Sequence, residues 1–367
     1  MMTANQYYPD SVSHPGETLR EKLEELNIGS KAFAVRTGKP EKTISLILSG
    51  ESAITPDMAV LFESVLKIPA HFWMRRQNLY DESQARQKRK AVIQEAIPWA
   101  KDFPYAQMAK RGWVPATRKA EEKVIYLLEF FGLASHKAWE SYYLKSKLKV
   151  EFRVSLAHTK TPHALSAWLR KGDLLAADMQ AADYAAKKLK AILPQLKSLM
   201  AVQPDDFFTQ IQQLCLSAGV KVVYTPCLPK APINGVARWI ENNTTPLIQL
   251  SDRYKRNDVF WFSFFHELGH ILLHGKKEVF LENIDYEELD LEKEAQADAF
   301  AIEWTFSEEQ EEEVVQNGFA DVQTILSYAE KFNTHPAMII GRLQKKQMIP
   351  YSAGQELIVK IDLGAAE

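Results

Sequence analysis

Cysteine is nearly absent: Cys215 and Cys227 are the only two in 367 residues. That excludes a disulfide framework and a paired-cysteine zinc site, and both thiols are expected to be reduced and structural. Long apolar runs are missing as well. The apolar run just before His266 falls far short of the ~20 residues that a bilayer requires. Met1-Met2-Thr3-Ala4-Asn5-Gln6 lacks the basic-then-apolar order of a signal peptide, so a cytoplasmic protein without membrane contact is expected. Charge of one sign is also lacking: the formal net charge of −2 argues against indiscriminate nucleic-acid binding, though not against a local basic surface. A chain of 367 residues with 46% hydrophobic and 25% charged residues has room for two or three ordinary globular domains.

Against that plain background one stretch stands out, Phe260-Trp261-Phe262-Ser263-Phe264-Phe265-His266-Glu267-Leu268-Gly269-His270-Ile271-Leu272-Leu273-His274. Apolar residues on nearly every face predict a helix buried all round, with Asn257 or Asp258 as its N-cap and Gly275 past its end. His266 and His270 are four apart, so both imidazoles project from one face and can share a tetrahedral cation, with Glu267 on the neighbouring flank. This is the HExxH pattern of zinc-dependent peptidases. His274, one turn further, suits a supporting or packing role.

Two histidines do not complete a hydrolytic zinc site, which takes three protein ligands and leaves a position for water. Further on, Leu291-Glu292-Lys293-Glu294-Ala295-Gln296-Ala297-Asp298-Ala299-Phe300-Ala301 sets Glu294 and Asp298 one turn apart, with small alanines that permit a close approach to the first helix. Glu294 suits the third ligand, and Asp298 a carboxylate that orients a ligand histidine through its other ring nitrogen. The segment alone reads more readily as the wet face of a surface helix. Its ExxAD pattern, following HExxH, favours the ligand reading. Zn2+ is then the expected cofactor and Glu267 the general base. A donor for the tetrahedral oxyanion is needed too, and His335 is the candidate, with a helix-cap role as the alternative.

The N-terminal region reads as short helices. Leu19, Leu23 and Leu26 share a first face, Ser30 opens a second helix, Gly38 breaks the chain before a third from about Glu41 to Leu48, and two more follow from Thr55 or Pro56 and from Pro69. Two short helices joined by a tight turn describe a helix-turn-helix, whose second helix enters the major groove. Lys42, Thr43 and Ser45 lie near its exposed start, within reach of base edges or phosphates, and Lys31, Arg36 and Lys39 offer further phosphate contacts. A helical bundle used only for dimerisation would show the same pattern. His14-Pro15-Gly16-Glu17-Thr18-Leu19, Ile44-Ser45-Leu46-Ile47-Leu48-Ser49-Gly50, Ile54-Thr55-Pro56-Asp57-Met58-Ala59 and Phe72-Trp73-Met74-Arg75-Arg76-Gln77-Asn78-Leu79-Tyr80-Asp81 resemble the XRE-type domain of HigA antitoxins. That resemblance implies operator DNA as a partner, bound by a homodimer.

Residues 83–203 are helical and poor in motifs. Gln84 to Lys90 is a basic link, read as a solvated helix face, and helices are expected at about 119–131, 134–143, 163–171 and 177–192. From about residue 204 the pattern changes to α+β. A helix at Phe207 to Ala218 precedes strands at Val220 to Tyr224, Ile233 to Ile240 and Thr245 to Leu250. Edge strands of zinc peptidases bind extended substrate by strand addition, and Gly235, Val236, Ala237, Arg238 and Trp239 are the candidates here, an ordinary paired strand being the alternative. The acidic run Glu308 to Glu313 reads as a solvated face.

Gly219-Val220, Leu250-Ser251-Asp252-Arg253-Tyr254-Lys255, Phe260-Trp261-Phe262, His266-Glu267-Leu268-Gly269-His270, the Glu294 to Ala301 segment and Gly341-Arg342-Leu343-Gln344 together resemble the ImmA/IrrE family of metallopeptidases. That resemblance implies a zinc endopeptidase that cleaves XRE-type repressors. The expected fold is multidomain and mainly α: a tail over 1–13, an all-α helix-turn-helix domain over 14–82, a helical linker domain over 83–203, an α+β zincin-like metallopeptidase domain over 204–347 and a tail over 348–367. The expected function is a DNA-binding regulator whose peptidase domain cleaves a protein substrate, whether repressor, antitoxin, toxin or its own chain. A regulator or antitoxin whose peptidase-like domain senses a ligand or binds a toxin without hydrolysis is the alternative.

Overall fold

The computed structural model describes residues 12–146, 162–229, 231, 233–275, 280–281, 288–318, 321–361 and 363. They are mainly helical, with one small sheet. The chain divides into two compact units, Met1–Glu95 and Ala96–Glu367.

In the first unit α1 (Pro15–Glu25), α2 (Ser30–Thr37), α3 (Glu41–Leu48), α4 (Pro56–Leu66) and α5 (Ala70–Glu95) close around Leu19, Phe33, Ile44, Ile47, Phe62 and Trp73, all fully buried. Local chemistry sets the boundaries. Thr55 accepts a hydrogen bond from the Met58 amide to cap α4, and Pro56 occupies its first position. Gly38 ends α2 at φ 64°, a left-handed conformation open to glycine, and Pro40 then starts α3. Gly16 permits the closest approach: a Cβ there would meet the Ile47 carbonyl oxygen at 1.9 Å, so α1 lies directly against the end of α3. Helix α5 runs on past residue 82 to Glu95, where the unit ends.

The second unit begins with α6 (Ile97–Lys101), α7 (Tyr105–Lys110), α8 (Ala120–Phe131) and α9 (His136–Trp139), which continues as a π-helical stretch, Glu140–Ser146. Next come α10 (Pro162–Ala177), α11 (Ala186–Val202) and α12 (Phe207–Ser217). The helix expected over 177–192 is thus divided between α10 and α11. Residues 178–185 turn aside because their amides find other partners: Ala182 and Ala185 donate to the carbonyls of Leu216 and Ala218.

The sheet has the order β1-β3-β2-β4, from β1 (Lys221–Tyr224), β2 (Gly235–Ile240), β3 (Thr245–Leu250) and the two-residue β4 (Phe280–Leu281). β1 is parallel to β3, and β2 is antiparallel to both its neighbours. Alternation then assigns the two faces. Val222, Ala237, Trp239, Ile248 and Leu250 join the main core, together with Phe260, Trp261, Phe264, Phe265 and Leu268 of α13 (Asn257–Leu273). Val223 and Leu247 face the other way, into a second cluster with Ala176.

That second face is covered by α10. Gln249, fully buried, donates to the carbonyl of Trp168 at 2.7 Å and to Thr225 Oγ1 at 3.0 Å. Arg238 reaches Asp173, the Leu169 carbonyl at 3.1 Å and Gln249 Oε1 at 3.1 Å. The motif-poor middle of the sequence therefore supplies one wall of the sheet that carries the site.

The remaining helices are α14 (Glu288–Thr305), α15 (Glu308–Asn317), α16 (Val322–Phe332) and α17 (Pro336–Lys345). The acidic face expected at Glu308 to Glu313 is interrupted: Glu311 is only 4% exposed and pairs with Arg342 and Lys346 of and just after α17. Residues after 348 fold back onto the start of α13, where the Asn257 amide donates to the Val359 carbonyl at 3.0 Å and Asn257 Oδ1 accepts from the Val359 amide at 3.0 Å. No helix among the described residues is long and apolar enough to cross a membrane.

Candidate metal centre

Helix α13 is hydrophobic on almost every side because it lies between the sheet and α14. The two helices approach closely at Gly269, where an added Cβ would meet the Ala297 Cα at 3.3 Å and Phe300 at 3.2 Å. Across that seam the polar residues converge. His266 Nε2 lies 3.2 Å from Glu294 Oε2, His270 Nε2 lies 3.5 Å from Glu294 Oε1, and the two Nε2 atoms are 2.9 Å apart. Tetrahedral bonds of the lengths zinc makes to nitrogen and oxygen place neighbouring donors about 3.3 Å apart. Two imidazoles and one carboxylate are also the donor set of hydrolytic zinc sites, so these residues fit the ion.

The supporting contacts favour the same donors. Asp298 Oδ1 lies 2.9 Å from His266 Nδ1, leaving Nε2 turned to the triad. His270 Nδ1 lies 3.0 Å from His274 Nδ1, and His274 Nε2 lies 3.1 Å from Gln296 Oε1. Burial, followed by the His266 and His274 imidazoles and Lys293, holds the His270 pKa far below the ordinary histidine value. His270 is thus a neutral imidazole with a lone pair to give. Gln296, a polar residue between two alanines of α14, was not singled out from the sequence; its position two residues after Glu294 was the available signal.

Glu267 is 1% exposed and sits beneath the start of β2. A Cβ on Gly235 would come within 2.8 Å of Glu267 Oε1, so only glycine at that strand position leaves the carboxylate in place. Gly235, the first residue of the strand expected to bind substrate, thus lies against the general-base candidate. Two expectations for β2 need correction. Val236 and Ala237 already pair with Leu281 and Phe280 of β4, so they are not a free edge. Arg238 points to the opposite face, into the network with Asp173 and Gln249, and Trp239 packs edge-on against Tyr184 at 5.0 Å.

His335 is not brought to the triad. It caps α17, its Nδ1 accepting from the Ala337 amide at 3.1 Å and lying 3.2 Å from Asn257 Nδ2. Asn257 precedes His266 by nine residues, about 14 Å along the helix axis, so the oxyanion role does not match the geometry. The cap expected for α13 itself also differs. Arg256 is its N-cap and pairs with Asp258 at 2.9 Å, while Asn257 is already helical.

In the first unit Lys31, Arg36, Lys42 and Ser45 are exposed, and Lys39 and Thr43 are half-buried. All six lie on α2, α3 or the turn between them.

Residues 215–344 match the peptidase family described as the IrrE N-terminal-like domain. The HTH-type transcriptional regulator YddM of Escherichia coli (strain K12) is 32% identical over 71 residues, 19% of this chain and 76% of that protein. The chain is a helix-turn-helix regulator fused to an IrrE N-terminal-like peptidase domain. Among solved structures, an addiction-module antidote protein of the HigA family from Coxiella burnetii is 29% identical, covering 23% of this chain and 92% of that one with a TM-score of 0.22. The antitoxin HigA of Pseudomonas aeruginosa, solved with the higBA promoter, is 30% identical over 23% of this chain and 94% of its own, also at a TM-score of 0.22.

Proposed function

We propose that this regulator binds operator DNA through its first unit and hydrolyses a protein through a zinc centre in its second. The observation that carries the reading is the convergence of His266, His270 and Glu294, whose ligand atoms all lie within 4.8 Å of one another, beside a buried Glu267. In this reading the three side chains hold Zn2+. A zinc ion bound there lowers the pKa of its water toward ~7 and polarises a carbonyl oxygen. Glu267 takes up the water proton on its carboxylate and returns it to the departing amine nitrogen. Asp298 holds the His266 ring, and His274 the His270 ring, so that both Nε2 atoms stay turned inward. Burial shields both histidines and Glu267 themselves from bulk water, so their contacts meet little competition from solvent.

The DNA reading rests on the identity to the Escherichia coli regulator and on the exposed start of α3. Lys42, Thr43 and Ser45 face the bases, and Lys31, Arg36 and Lys39 the phosphates, within an operator-binding module of residues 14–82 that acts as a homodimer. The substrate class is a repressor or antitoxin-like protein, this chain included.

The test combines metal analysis with cleavage. Purified protein should hold about one zinc per chain, and Glu267→Gln should keep the zinc while losing cleavage of proteins encoded beside its gene, read by mass spectrometry. Equal behaviour of the variant and the parent against all of those proteins defeats the peptidase reading.

A further inference from the structure

The ligand-bearing sides of α13 and α14 extend beyond the triad. Leu273 stands seven residues after His266, and Leu291 seven before Asp298. Seven residues bring a helix to within about 20° of its starting direction. His266 and Asp298 meet at 2.9 Å, so both leucines lie on the facing sides of the helix pair. The helices are antiparallel, because His266 meets Asp298 while His270, four residues on, meets Glu294. Leu273 and Leu291 are therefore level with one another, each three residues beyond His270 and Glu294 and so about 4.5 Å further along.

Leucines facing each other across a helix pair ordinarily close into core. These do not. Leu273 is 50% and Leu291 56% exposed, and neither joins the core cluster that contains Leu268 and Ile271 and, at its margin, Leu272. Among the described residues an apolar wall is thus left open about one helical turn from His270 and Glu294.

Resting on the peptidase reading, we propose that Leu273 and Leu291 form a subsite for an apolar side chain of the polypeptide substrate, one or two residues from the bond that is cut. An extended chain advances ~3.3 Å per residue. A peptide whose carbonyl lies at the triad thus brings its next or second side chain level with the two leucines. A leucine, methionine or phenylalanine there covers both and is itself removed from water, whereas an aspartate offers the two leucines little apolar surface to cover them. The subsite defines the substrate class as polypeptides that present an apolar residue beside the scissile bond.

The test uses the full chain loaded with zinc and two short peptide hydroxamates, metal-chelating probes that differ only in a leucine or an aspartate beside the chelating group. Zinc content is measured first, and binding then by calorimetry. The leucyl probe should bind about tenfold tighter or better, and Leu273→Glu and Leu291→Glu, made singly and together, should abolish that preference without lowering zinc content. Both side chains are half exposed, so the single variants should fold, which circular dichroism checks. Equal binding of the two probes, or a preference unchanged in the variants, overturns the subsite while leaving the metal centre intact. A chain that binds no zinc overturns the peptidase reading itself, and the subsite with it.

Discussion

His266 Nδ1 and Asp298 Oδ1 lie 2.9 Å apart across the seam between α13 and α14. The carboxylate is half exposed, 48% by side-chain area, yet it fixes which nitrogen of a nearly buried ring faces Glu294. A partner of this kind acts on metal affinity more than on folding. Asp298→Asn should weaken zinc binding about 10- to 100-fold, measured by competition with a chromophoric chelator, with little change in the thermal transition. Unchanged affinity would mean that the contact is incidental.

Gly172 of α10 sits directly over Gln249. A Cβ there would fall 2.0 Å from Gln249 Oε1 and 2.2 Å from Cδ. Gln249 has no room to withdraw, since it is fully buried and held by the Trp168 carbonyl, Thr225 and Arg238. Gly172→Ala should therefore destabilise the second unit by ~1–3 kcal/mol through overpacking. Urea unfolding followed by tryptophan fluorescence should show the loss, and the helix-turn-helix unit should melt as before.

Stability should also fall in mild acid, and His335 supplies part of the slope. Burial lowers its pKa below the ordinary 6.5, against a weaker opposing pull from Asp258. The unfolded chain then holds more protons than the folded one between pH 6.5 and the depressed value. Stability is full above about 6.5 and declines as pH drops through that window, by at most ~1.4 kcal/mol per pH unit for one group. His163, stacked on Trp139 at 4.5 Å, and His14 are depressed by burial in the same direction. Asparagine caps helices without titrating. His335→Asn should thus lose less stability than the parent between pH 7.5 and pH 5.5, compared by urea unfolding of chelator-treated protein. An identical loss would remove His335 from this account.

Local pattern carried most of what could be read beforehand. A helix apolar on every side that still holds two histidines and a glutamate announces its site, and the ExxAD spacing predicts a second helix with its carboxylates one turn apart. What could not be read was pairing at long range. Nothing near Gly172 reveals that it lies against Gln249, 77 positions on, so residues 83–203 read as a connection rather than as one wall of the sheet. β4 has only two residues, Phe280–Leu281, too few to alternate, and without it β2 reads as a free edge. His335 misled for a different reason: a histidine before Pro336 at a helix start satisfies the amide of Ala337, and that local need leaves no mark distinguishing it from a catalytic group.

For the first unit, the exposed positions separate into two groups with different signatures. Arg36, in the last turn of α2, and Lys31, at its start, are exposed cations expected at the phosphates. Ser45, exposed on α3 one position past the buried Ile44, is expected at a base edge. Each phosphate contact releases counterions whatever the sequence, whereas a base contact discriminates. Arg36→Gln should weaken operator and unrelated DNA alike and reduce the slope of log affinity against log salt by about 0.9. Ser45→Ala should leave that slope unchanged and cost ~0.5–1.5 kcal/mol of discrimination at one base pair, the worth of a single hydrogen bond. Fluorescence anisotropy across a salt series, with operator and scrambled duplexes, reads both. If Arg36→Gln instead reduced operator binding alone, α2 and not only α3 would be reading sequence, and the division of labour within the motif would have to be redrawn.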